Sequence, residues 1–361
     1  MHVSSIAEGY KISKLNRNLL YVLIVILLFV PGVLLFKIGY TDPFMFDMMA
    51  SLQSLLNGST HSVFSSAFSN IPGYGILMQT IALITSMEPN IIQFLPINSI
   101  VATFALLLLV RSIVPKANVI IPITAIILLL WVYPNYYSLF PHGIGFSLLF
   151  IFIYLISKLE TDRLRFSICA IVLLVGISTI SYTAEMWAVI FLASYSVLSY
   201  IVYRKSEVKN FLYIALVLFF GLQRFMWEKY VTWDKDWSIL SLDKFLGLTP
   251  NVSGDPFAYM SEASELLIFS TRGRLILIAV ALIIFAICFL KYFFPALVRI
   301  RRTNNGPVVG KEWILILSLF ALWPLDAIIY RLIDAPPGII YRGLFLLAPL
   351  ILAFSMYVII N

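Results

Sequence analysis

Ile71-Pro72-Gly73-Tyr74-Gly75-Ile76-Leu77-Met78-Gln79-Thr80-Ile81-Ala82-Leu83-Ile84-Thr85-Ser86-Met87 is the stretch on which the fold turns. It is apolar enough to read as a membrane-crossing helix, although a full crossing takes ~20 residues. If it crosses, Arg111 and Lys116 land outside, followed by Lys158, Arg163 and Arg165, and then by Arg204, Lys205 and Lys209. Every later connection would then break the rule that basic loops stay on the cytoplasmic side. Hydropathy favours a crossing and charge opposes it. The charge reading keeps 71–87 outside, as a helix lying in the interface or packed in the protein, with 92–111 as the second span.

Working outward, the whole chain is greasy. Its 361 residues are 61% hydrophobic and only 12% charged, with a mean hydropathy of +0.96, which excludes an ordinary water-soluble domain. Apolar runs are expected to span the membrane at roughly 19–39, 92–111, 117–135, 140–157, 163–182, 186–203, 210–227, 273–298, 312–332 and 338–360. The expected fold class is therefore an all-α polytopic membrane protein of about ten transmembrane helices, with interfacial helices in the first outer loop. No small-residue cleavage site follows Leu19–Lys37, so that run reads as an uncleaved anchor.

The net charge of +7 sorts by side. With the N-terminus inside, inner segments carry 16 Lys+Arg against 5 Asp+Glu, and outer segments carry 9 against 13. The excess is the positive-inside pattern, and no nucleic-acid partner is implied. Cys169 and Cys288 both fall in apolar runs and suggest neither a disulfide framework nor a metal site.

The expected organisation is a cytoplasmic N-terminus at 1–18, a seven-span module at 19–227 whose first outer loop is 40–91, an outer loop at 228–272, and three C-terminal spans within 273–361. Inner connections fall at 112–116, 158–162, 204–209 and 299–311, and basic residues lie in or directly beside each. The long outer loop carries Trp233, Trp237 and the amphipathic patch 238–248, so it is expected to fold back over the membrane surface.

Immediately after the first span comes Thr41-Asp42-Pro43-Phe44 and, further on, Asn57-Gly58. Asp42 reads as an N-cap, Pro43 as the first helical residue and Asn57-Gly58 as a C-cap. Met45, Leu52 and Leu55 repeat on one face, while Asp47, Ser51 and Ser54 share the other. The result is an amphipathic helix on the membrane surface with two carboxylates near its start.

Ionisable groups near membrane spans are costly and tend to mark function. Under the charge-rule topology they gather on the outer side: Asp42, Asp47, His142, Glu185, Arg224, Asp326, Arg331, Asp334 and Arg342. Each has a plainer reading beside the functional one. Asp42 can be only a cap, Asp47 only a solvated face, and His142 an interfacial polar group. Glu185 reads most simply as part of a solvated turn, Ser181 to Glu185. Arg224 can snorkel outward, Asp326 can mark a kink after Pro324, and Arg331 can pair with Asp334.

Carboxylates at the head of an outer loop, with arginines from later spans, suit a bilayer-anchored substrate that carries a phosphate. Phosphate leaves readily and needs countercharge, which Arg supplies bidentately. The acceptor hydroxyl must lose its proton as it attacks the anomeric carbon, and a carboxylate is the natural base. A divalent cation, Mg or Mn, bridging Asp42 and the phosphate is the one cofactor this pattern accommodates.

The run from Thr41-Asp42-Pro43-Phe44 to Asn57-Gly58, then Ile71-Pro72-Gly73-Tyr74-Gly75, resembles the start of the first outer loop in oligosaccharyltransferase catalytic subunits, which belong to the GT-C superfamily of polytopic glycosyltransferases. The second helix at 71–87, Leu95-Pro96 before the next span and Arg111 at its end resemble protein O-mannosyltransferases and the lipid A aminoarabinose transferase. The resemblance implies a polyprenyl-phosphate-linked sugar as donor, a glycan, lipid or protein as acceptor, and transfer with inversion at the outer face of the plasma membrane. By it Asp42 is the catalytic acid–base residue, Asp47 its helper or a metal ligand, and Arg342 or Arg331 the phosphate-binding group; His142, Glu185 and Arg224 complete the substrate-binding candidates. The second outer loop, Tyr133-Pro134-Asn135-Tyr136-Tyr137, departs from relatives that place an acid there, and no Trp-Trp-Asp motif is present. Protein N-glycosylation itself is therefore not expected. The alternative from another class is a transporter or flippase for a lipid-linked or small anionic substrate, with Asp326, Arg224 and Glu185 along its route.

Overall fold

A computed structural model describes residues 72–87, 89–92, 95–113, 141–223 and 311–332, together with helical positions at 283 and 286. Among the described residues the chain is all-helical, without a strand. The helices are α1 Pro72–Thr85, α2 Pro89–Ile92, α3 Ile97–Ile113, α4 Pro141–Ser157, α5 Arg163–Ile180, α6 Tyr182–Tyr203, α7 Lys209–Val217 and α8 Lys311–Leu332. A π-helical segment, Leu218–Gln223, continues α7.

Local chemistry explains many of the boundaries. Three helices begin on a proline, Pro72, Pro89 and Pro141, at the position where a missing N–H costs nothing. Asp162 caps α5, its carboxylate accepting from the Arg165 N–H at 3.2 Å. Ser181 alone separates α5 from α6. Its N–H closes α5 on the Ile177 carbonyl at 2.8 Å, and its hydroxyl oxygen caps α6 by accepting from the Ala184 N–H at 3.3 Å. α6 ends at Arg204 in the left-handed region, φ 59°, a conformation that glycine adopts without penalty. In α8 the helix runs through Pro324, which cannot donate to the Phe320 carbonyl.

The expected spans 140–157, 163–182 and 312–332 correspond closely to α4, α5 and α8. Two expectations need correction. The span expected at 92–111 is broken near Leu95-Pro96, so that α2 is a separate turn and α3 runs to Ile113; Pro96 lacks an N–H for the helical ladder and disfavours the α conformation at Leu95. The turn expected at Ser181–Glu185 is reduced to Ser181, and Glu185 belongs to the first turn of α6.

α5 and α6 are each long and apolar enough to cross a membrane by length and composition. The main core is built from α3, α4, α5, α6, α7 and α8, around Phe146, Phe150, Phe152, Trp187 and Phe191, all buried. α3 packs extensively on α4, α4 on α5, and α6 on α8. A second, smaller cluster seats α1. Its Tyr74, Met78 and Ala82 meet Ile92, Ile144 and Ile180, with Leu95 and Leu148 beside them. None of these α1 residues joins the main core. α1 thus buries its inner face against one end of the bundle, beside the start of α4 and the finish of α5.

Candidate functional site

The bundle has two unlike ends. At the first, Lys311 at the head of α8 pairs with Glu160, lies 3.7 Å from Glu207 and stands over the Tyr203 ring at 6.0 Å. The connections 158–162 and 204–209 are thereby tied to the start of α8. All three charged groups retain solvent exposure, with side chains 37%, 59% and 38% exposed, so water screens them.

The opposite end is polar but closed. Asn98, Ser99 and Thr103 on α3, Ser147 on α4, Ser178 on α5, Ser181 and Glu185 are all buried. The Ser147 hydroxyl lies 2.8 Å from the Asn98 Oδ1 and 2.9 Å from the Gly143 carbonyl, so its one proton has two acceptors in reach. Ser99 and Thr103 turn their hydroxyls back on α3, to the Pro96 and Ser99 carbonyls at 2.9 and 2.6 Å.

Glu185 is the exception in kind. It is 0% exposed and is the one carboxylate in the first turn of α6. The solvated-turn reading is overturned, because the Ser181 cap starts the helix four residues earlier and turns Glu185 inward. The N-terminal end of α6 supplies partial positive charge at this position, which favours an anion there. Gly145 makes the geometry possible: a Cβ at this position would fall 2.5 Å from the Ser181 Cβ and 2.9 Å from that of Ala184, so α4 and the head of α6 approach as closely as backbones allow. Gly73 does the same for α1, where a Cβ would meet the Thr179 Oγ1 at 2.5 Å.

The other candidates fall as follows. His142 is the second residue of α4, at the Glu185 end. Asp326 and Arg331 lie in the second half of α8, which starts beside Tyr203 and runs back along α6. At 1.5 Å per residue, Asp326 is ~22 Å and Arg331 ~30 Å along α8, while Glu185 is ~27 Å back from Tyr203 along α6. Glu185 therefore lies level with the stretch of α8 between those two residues. Asp42, Asp47, Arg224 and Arg342 lie outside the described residues. So do the spans expected at 19–39, 117–135 and 338–360 and the loop at 228–272. Among the described residues no group of three or more His, Cys, Asp or Glu side chains could hold a metal ion.

Sequence reasoning passed over Asn98, Ser147 and Ser181. Ser181 carried a signal, as a small hydroxyl residue between two apolar runs. Asn98 and Ser147 are neutral residues 49 positions apart, and only packing pairs them. No protein-family model matches the chain, and no curated protein matches it.

Proposed function

We propose that the chain is a polytopic membrane glycosyltransferase of the GT-C kind that moves a sugar from a polyprenyl-phosphate carrier to an acceptor hydroxyl, with inversion, at the outer face of the plasma membrane. About ten helices cross the bilayer, with both termini inside. The observation that carries this reading is the division of polar groups between the two ends. The solvated, basic end suits the cytoplasmic surface, and the closed end with Glu185 suits the wall of an outer site. Exposed apolar side chains between the ends, such as Phe104, Ile168, Val172, Val197 and Tyr213, suit contact with lipid. The packing of α1 at the Glu185 end is in keeping with 71–87 staying on the outer side.

In this reading Asp42 takes the proton of the acceptor hydroxyl as that oxygen attacks the anomeric carbon, and the lipid phosphate departs with the electrons of the C–O bond. Asp47 assists it or shares a divalent cation with it. Arg331, Arg342 and Arg224 are the candidate counterions of the phosphate, and His142 and Glu185 the candidate polar contacts to the sugars. The purified protein with a polyprenyl-phosphate sugar and an acceptor glycolipid tests it. The Asp42→Asn variant should fold and lose transfer by at least 1000-fold, on the order of the effect of removing an essential base. Normal transfer by that variant would remove Asp42 from the mechanism.

One observation favours the alternative. A carboxylate fully buried among apolar helices, as Glu185 is, also suits a proton- or cation-coupled transporter. Uptake or lipid flipping by the protein in sealed vesicles, abolished by Glu185→Gln and unaccompanied by sugar transfer, would decide for transport.

A further inference from the structure

We infer that the charged end of the bundle is a binding surface for anionic phospholipid headgroups; the inference rests on the membrane reading above but not on the glycosyltransferase one. Its first support is how the acids at that end are used. Glu160 and Glu207 are engaged by Lys311, and the Asp162 carboxylate caps α5. These three acids thus already have partners within the protein, although their side chains stay exposed, and Glu312 follows Lys311 at the head of α8. Four cations at the same end, Arg163, Arg165, Arg204 and Lys209, are exposed and carry no ion pair with any described acid.

The second support is what lies beside those cations. Arg163 and Arg165 open α5, whose exposed face continues through Leu164, Ile168 and Val172. Lys209 opens α7, which exposes Tyr213 and Val217 further along. A cation at the helix end followed by an apolar face suits a phospholipid molecule, with the acyl chain along the helix and the phosphate at the end. An acidic protein segment would match the charge but leave the apolar face uncovered. Arg204 adds a third indication: it places a long cation at a left-handed position that glycine would occupy without strain.

Each cation near an anionic leaflet adds about a fivefold factor to the attraction for an anionic surface. The experiment uses the full chain reconstituted into nanodiscs of phosphatidylcholine mixed with phosphatidylglycerol, with retained lipids counted by native mass spectrometry after detergent extraction. The expected result is selective retention of phosphatidylglycerol, lost in the variant Arg163→Gln, Arg165→Gln, Lys209→Gln and weakened as salt rises from 0.05 to about 0.5 M, where screening is short-ranged. Equal retention of both lipids by the wild-type chain overturns the inference and leaves the membrane reading standing. A chain that stays out of the nanodiscs altogether overturns the membrane reading with it. If the triple variant fails to fold, the salt series on the wild-type protein still decides, since a salt-insensitive preference is not electrostatic.

Discussion

The two ends of this bundle handle polar groups in opposite ways. At the Lys311 end three charges from separate connections meet in water, where each solvates itself and the pairing adds little. At the Glu185 end the described residues shut away from water one carboxylate and several neutral hydroxyl and amide groups, where each needs a partner and geometry counts. Charge count alone would make the first end look the more important. Burial reverses that ranking, because the free energy of a polar group depends on what replaces its hydration.

The comparison can be broken or sharpened by substitution, with stability read from unfolding of the detergent-solubilised protein. The largest effect is expected at Trp187, buried near the Glu185 end with its ring edge-on to Phe146 at 4.6 Å and 78°. Trp187→Ala should cost about 3–5 kcal/mol, because a large cavity opens where α4 meets α6. Gly145→Ala comes next, at about 1–3 kcal/mol, since its new methyl meets two short, stiff side chains that cannot swing aside. A neutral result there would mean that the close approach of α4 and α6 is not maintained.

Asn98→Ala is expected to cost at least about 1 kcal/mol, the ordinary worth of one buried hydrogen bond. The part of the loss that falls on Ser147 stays small because its hydroxyl can turn to the Gly143 carbonyl, 2.9 Å away. Blocking that option should raise the cost. Smallest is Lys311→Ala, expected at less than about 1 kcal/mol and smaller still at high salt, as for other solvated pairs. If Lys311→Ala proved more damaging than Asn98→Ala, the contrast between the ends would fail, and the charged cluster would have to be treated as a buried network.

How much was legible beforehand varies with the kind of feature. Helices α4, α5 and α8 could be read from the length of their apolar runs, since an uninterrupted run of that length is too long for a strand. The breaks at Pro96 and Ser181 were only half legible. Proline and serine mark boundaries, but where a helix resumes depends on which cap bond forms. Glu185 shows the consequence, since an acid four residues after a serine reads as a loop residue until the cap at Ser181 places it inside α6. Of the candidate site, the described residues bring Glu185, His142, Asp326 and Arg331 into the same half of the bundle, whereas Asp42, Asp47, Arg224 and Arg342 lie outside them.

Composition by itself determined that this chain is strongly apolar, and the apolar runs pointed to the helices that the described residues form, since both follow from local hydropathy. Only the tertiary structure decided that Lys311 joins Glu160, 151 residues away, that Asn98 meets Ser147, and that α1 rests against the end of the bundle where Glu185 is buried. The packing at the Glu185 end depends on close approach at Gly73 and Gly145 and on the exclusion of water, whereas the Lys311 pair forms in water where distant connections meet, and none of these is a property of any single segment.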